Sequence, residues 1–176
     1  MKKKKEISKK AKLEYRAASE SLTFNVKRRA SILYEDEIDH NAKIERELDW
    51  IISGGMAKGF IQMMQMMEAL KQKLGIKIGP DHGFCEGCVV AYCLGLTPTD
   101  PLSLGDEGIS NKFYFELGQG FELPLNVSIY FEPEKRNQAV EIAEEMFHIK
   151  VMMRMGQPII KLDNVIVEFH RNMKVI

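Results

Sequence analysis

The 176-residue sequence has no run of the roughly 18 apolar residues that a membrane-spanning helix needs, which excludes a helical membrane protein. No apolar stretch follows the basic N-terminus, so a secretory leader is not expected and a cytoplasmic location is. Only three cysteines are present, which argues for reduced thiols over a disulfide framework. There is no net charge, since 25 Lys and Arg balance 25 Asp and Glu, so the whole-molecule field does not single out nucleic acid as a partner. No internal repeat and no spaced Ser/His/Asp set stands out. What remains, 45% hydrophobic and 28% charged residues, is the composition of an ordinary globular chain of one domain.

The charge is unevenly placed. Met1–Lys12 holds seven lysines (Lys2, Lys3, Lys4, Lys5, Lys9, Lys10 and Lys12) against one glutamate. Like charges repel and keep a segment solvated, so residues 1–12 are expected to be a flexible basic arm ahead of a single domain, 13–176. Such an arm is also a candidate for sequence-independent contact with nucleic-acid phosphates.

Helices come first. Leu13–Tyr34 reads as a helix with Leu13, Ala17, Phe24 and Leu33 on an apolar face. Asn41 is a plausible N-cap for a helix carrying Ile44, Leu48, Ile51 and Ile52, ended by Ser53-Gly54-Gly55. From about Met56 to Leu74, Phe60, Met63, Met64, Met67, Leu70 and Leu74 recur at three and four residues, the mark of a core-facing stripe. Strands follow. In Glu122–Phe131, Leu125, Val127, Ile129 and Phe131 alternate with Asn126, Ser128 and Tyr130, which predicts a strand with one buried face. Pro133 suits the first turn of a helix to about Phe147, with Ala139, Ile142, Ala143 and Met146 inward. His148–Met155 is a further strand candidate. Gly156-Gln157-Pro158 is expected to turn the chain, and Ile159–Leu162 and Val165–His170 to form a hairpin through Asp163-Asn164. The predicted class is α+β: N-terminal helices, then a small mixed sheet with helices on one face.

Between these halves lies Gly75–Gly95, read as a short strand (Ile76–Ile78), a glycine-rich loop and a helix to about Leu94. Glycines let a backbone approach an anion, and a following helix offers free N–H groups and a positive dipole end. Gly79, His82, Gly83, Gly87 and Cys88 are therefore the candidate phosphate-binding loop, although a glycine turn between strand and helix is also common without a ligand. His82, Cys85, Cys88 and Cys93 bring to mind a zinc or redox site. Only one Cys-x-x-Cys is present, so small packing residues are the plainer reading and no metal site is assigned.

Four blocks in order carry a resemblance to the palm region of bacterial DNA polymerase III α subunits, over Ile44–Phe147. They are Glu45–Ile52 with Gly55 and Phe60; the glycine stretch through Val89-Val90-Ala91-Tyr92 to Leu96-Thr97; Asp100-Pro101-Leu102; and Phe131 with Glu134–Glu141. The resemblance implies a nucleotidyltransferase-like palm, a triphosphate-holding loop, and alternating strand aspartates that bind Mg²⁺ for phosphoryl transfer. This sequence departs at those places. His82 stands for an arginine of the loop, and Phe84 and Cys88 for two serines. Asn126, Ser128 and Tyr130 occupy the three aspartate positions. Neutral amide and hydroxyl groups do not balance a pair of divalent cations. The expectation is accordingly a catalytically inactive palm-like protein with no Mg²⁺ cofactor. Its binding partner would be nucleic acid, a nucleotide, or a protein of a replication or mobile-element system. The alternatives are an active nucleotidyltransferase or nucleotide hydrolase with a reworked site using His82 and Glu132 or Glu168, and a Cys/His metal or redox protein.

Overall fold

A computed structural model describes residues 8–35, 38–76, 88–98, 100–104 and 124–171. Four helices lead: α1 (Lys9–Leu33), α2 (Ile38–Ser53), α3 (Ala57–Leu74) and the short α4 (Val89–Cys93). A 3-10 turn at Pro101–Leu104 precedes β1 (Leu125–Phe131), α5 (Pro133–Phe147), β2 (Met152–Arg154), β3 (Gln157–Leu162) and β4 (Val165–Arg171). The strands make one mixed sheet in the order β1-β4-β3-β2. β1 runs parallel to β4, and the other neighbours are antiparallel. The class is α+β, as the order of periodicities predicts.

α1 begins at Lys9 because Ser8 caps it, its Oγ accepting from the Ala11 amide at 3.2 Å. Lys9, Lys10 and Lys12 thus belong to the first turn of a helix and not to an unstructured arm, a correction to the expected boundary at residue 12. The apolar face of α1 is also corrected. Leu22, Val26 and Ala30 are buried, whereas Leu13 is 68% and Phe24 65% exposed. Leu13 and Leu22 are about two and a half turns apart, so they stand on opposite sides of the helix. Packing against α3, not the count of large apolar groups, selects the face. α2 starts at Ile38, which puts Asn41 inside the helix and removes its expected capping role.

α3 follows its predicted stripe: Phe60, Met63, Met64, Met67 and Leu70 are buried and Leu74 is half-buried, and Met66, outside the predicted stripe, is buried as well. Gly75, at φ 61°, closes the helix in the left-handed region. Where α3 crosses the β3–β4 hairpin, a Cβ on Gly59 would lie 2.7 Å from the Leu162 carbonyl oxygen, so only glycine permits this approach.

In β1, Leu125, Val127 and Phe131 are buried and Ile129 half-buried. Pro133 does open α5, and Ala139 and Ala143 pack inward, but Met146 is exposed. Of the expected strand at His148–Met155 only Met152–Arg154 forms, because His148 adopts a left-handed cap. The turn falls at Met155-Gly156, one step earlier than expected, and Gln157-Pro158 belong to β3. The Asp163-Asn164 hairpin stands as predicted, and its second strand, β4, lies at the centre of the sheet.

Candidate functional site

Two places hold the polar groups that the sequence singled out. The first is the start of α4. Cys88 is its N-cap: Sγ accepts from the Ala91 amide at 3.3 Å. The amides of Val89 and Val90 donate to the Glu47 carboxylate at 3.2 and 2.8 Å, and Cys88 Sγ donates to it at 3.3 Å. Glu47 is only 4% exposed. Burial raises its carboxyl above the usual range, while the bonds from Val90, Val89 and Cys88 pull it back down. The first two amides of α4 are therefore already engaged by a side chain of α2. Of the candidate loop residues only Cys88 is described, and Gly79, His82, Gly83 and Gly87 lie outside the described residues, as do Phe84 and Cys85.

Glu47 was missed as a site residue, yet the sequence carries its signal. It falls three residues after Ile44 and four before Ile51, inside the apolar stripe of α2. A charge in such a stripe needs a buried partner, here a short helix whose first amides would otherwise be unpaired.

The second place is the polar face of the sheet. Asn126, Ser128 and Tyr130 pair in register with Ile166, Glu168 and His170 of β4. Arg154, from the edge strand β2, reaches over this face. It forms an ion pair with Glu168 and donates to Asn126 Oδ1 at 2.8 Å. His170 Nε2 lies 3.0 Å from the other Glu168 oxygen, and its ring stacks on Tyr130 with centroids 5.0 Å apart. Burial, then the nearby Arg136, holds the His170 pKa below the ordinary histidine value. Arg136 itself reaches Gln157 at 3.3 Å. Structure thus brings Asn126, Ser128, Tyr130, Glu168 and His170 together. Arg154 had no signal in the sequence, because its partners become neighbours only when β1, β4, β3 and β2 assemble.

This chain belongs to the bacterial DNA polymerase III alpha NTPase domain family. The family model matches residues 12–161. Among curated proteins, the DNA polymerase III subunit alpha of Thermotoga maritima is 25% identical over 118 residues, which is 67% of this chain and 13% of that protein. That of Escherichia coli strain K12 is 28% identical over 131 residues, 68% of this chain and 10% of that protein. The chain therefore spans only about a tenth of the length of these relatives. The family match stops inside β3, so β4, the strand that completes the sheet beside β1, lies beyond it.

The donor set described on the sheet face does not fit the pair of divalent cations that the resemblance implies. Asn126 and Ser128 are neutral, and both oxygens of the single carboxylate, Glu168, already face Arg154 and His170. Elsewhere, Tyr34 Oη donates to Asp100 Oδ1 at 2.7 Å, which ties the end of α1 to the Asp100-Pro101-Leu102 block. His40 is buried and its ring stacks on Tyr34 with centroids 4.8 Å apart. Cys93 is buried, and burial foremost pushes its thiol up to about 12, against a reactive role. Among the described residues no group of three or more His, Cys, Asp or Glu is arranged to hold a metal ion. Lys9, Lys10 and Lys12 are exposed on α1, and Lys2–Lys5 lie outside the described residues. Among the described residues no helix is long and apolar enough to cross a membrane.

Proposed function

We propose that this chain is a catalytically inactive palm that works as a nucleic-acid-binding accessory in replication or in a mobile element. One observation carries the reading: Arg154 is paired to Glu168 and Asn126 on the face of Asn126, Ser128 and Tyr130, the positions to which the resemblance assigns metal-binding acids. A guanidinium there supplies the positive charge that the carboxylate would otherwise need from a cation. It cannot polarise an attacking hydroxyl or bridge phosphates as a divalent ion does. No Mg²⁺ cofactor belongs to this reading. Contact with nucleic acid is assigned to Lys2–Lys5, Lys9, Lys10 and Lys12, through phosphates.

Two measurements test it. Primer extension with deoxynucleotides and Mg²⁺ or Mn²⁺ should give no product, and calorimetry should find no Mg²⁺-dependent micromolar nucleotide binding. Either activity would sink the inactive assignment. Single-stranded DNA should bind with an affinity that falls steeply with salt, and replacing the seven lysines by glutamine should remove most of it. Undiminished affinity after that replacement would exclude the lysines as the contact. The active-enzyme alternative, with Glu168 as recruited carboxylate, requires the Arg154 pair to open.

A further inference from the structure

A recess of about 680 Å³ opens between the last turns of α1, the end of α3 and the turn after α4. None of its lining residues belongs to the sheet face described above. Its wall is divided by chemistry. Arg28 and Arg29 from α1 and Lys71 from α3 supply cations, and Ile32 and Leu33 follow one turn further along α1, joined by Tyr92 and Ile76.

The cations are drawn together at Gly95. This residue is at φ 73°, and a Cβ there would stand 3.4 Å from Lys71 Nζ and 3.7 Å from an Arg29 nitrogen. Lys71 donates to the Gly95 carbonyl at 3.2 Å, which occupies one of the three protons of its ammonium group. Glu68 pairs with Arg29 and is the one carboxylate among the described residues bonded to any of the three. Asp100 is committed elsewhere, to Tyr34 and to the Leu102 amide at 2.9 Å. Burial pushes the Lys71 pKa down, Glu68 opposes it, and the Arg29 charge adds a smaller push in the direction of burial. Glu68 thus offsets the repulsion between Arg29 and Lys71, whereas Arg28 has no carboxylate bonded to it among the described residues.

We propose that this recess binds a small organic phosphate, with its dianionic head between Arg28, Arg29 and Lys71 and a flat apolar body on Ile32, Leu33 and Tyr92. Charge selects the head: among the described residues three cations stand against one carboxylate bonded to them, which leaves the two positive charges that a phosphate monoester balances near neutral pH. Geometry selects the body. Arg28 and Ile32 are one helical turn apart, about 5 to 6 Å, which is the span from a phosphate to an attached ring. The volume falls among ordinary ligand pockets, roughly 300 to 1,000 Å³. This site does not depend on the inactive palm, so primer-extension results leave it untouched.

Titration calorimetry of the full chain in Mg²⁺-free buffer tests it, with deoxyadenosine 5′-monophosphate and phenyl phosphate as probes. Inorganic phosphate and deoxyadenosine are the controls. Both monoesters should bind saturably at one site, at least about tenfold tighter than either control, a difference of about 1.4 kcal/mol. Arg28→Gln and Lys71→Met should each weaken the monoesters by about tenfold or more, while Glu68→Gln should tighten them. Arg28 is exposed, so its variant should retain the wild-type circular dichroism and melting temperature, which separates lost binding from lost folding. The proposal is overturned if neither monoester saturates below about a millimolar, if deoxyadenosine binds as well as its monophosphate, or if a folded Arg28→Gln protein keeps full affinity.

Discussion

A carboxylate inside a protein persists only where hydrogen bonds offset the loss of water, and Glu47 accepts three, from Cys88, Val89 and Val90. Removing it strands those donors in a buried place. Glu47→Ala should therefore cost about 2 to 3 kcal/mol in urea unfolding, the usual penalty for unsatisfied buried groups. The pH dependence has a definite sign. The folded carboxyl titrates above its ordinary value of 4.5, so the native state holds the proton more tightly than the unfolded chain. Its contribution is then fully present below that value and is lost as pH rises through the folded one. Glu47→Gln does not titrate, so its stability deficit relative to wild type should narrow as pH rises above 4.5 in urea titrations. A deficit that stays constant would remove burial as the dominant influence on Glu47. Cys88 and Cys93 should resist iodoacetamide in the native protein and react on unfolding, as peptide mass mapping would read, because both are buried and the Cys93 thiol stands near 12. The Glu47 charge inside an apolar stripe was legible in the sequence. Its partner was not, since Cys88 and Glu47 are 41 residues apart.

At the scale of elements, legibility followed the strength of the period. α3 and β1 were readable because one apolar face dominates each. α1 was readable as a helix but not in its orientation. Leu13 and Phe24 are larger than Ala30, yet they face out while Leu22, Val26 and Ala30 face α3. Only the helix against which α1 packs decides which stripe is covered. Leu22→Ala should accordingly cost about 2 to 5 kcal/mol. Phe24→Ala should shift stability by less than about 0.5 kcal/mol, and thermal or urea unfolding of the pair separates the two faces. Comparable losses would place Phe24 in a core.

For the molecule as a whole, the decisive contact is that of the helical half with the β3–β4 hairpin. Gly59 sits against Leu162 and Val165, and Asn164 Nδ2 reaches back to the Gly54 carbonyl at 3.2 Å. Gly59→Ala sets two effects against each other. Alanine favours the helix by about 1 kcal/mol, but its methyl would meet a backbone oxygen that has no room to yield, and overpacking costs about 1 to 3 kcal/mol. The clash, at 2.7 Å, should win, and calorimetric melting should show a lowered midpoint. A raised midpoint would mean that the hairpin can slide away from α3.

The sequence by itself determined the α+β class, the α3 stripe, the alternation of β1, the hairpin at Asp163-Asn164 and the family resemblance. Each of these rests on local periodicity or on residues in chain order. Tertiary structure alone decided that β4 lies beside β1, that Arg154 covers the face of Asn126, Ser128 and Tyr130, and that Glu47 closes the start of α4. Those outcomes join residues 14 to 43 positions apart, and no local preference encodes a pairing at that distance.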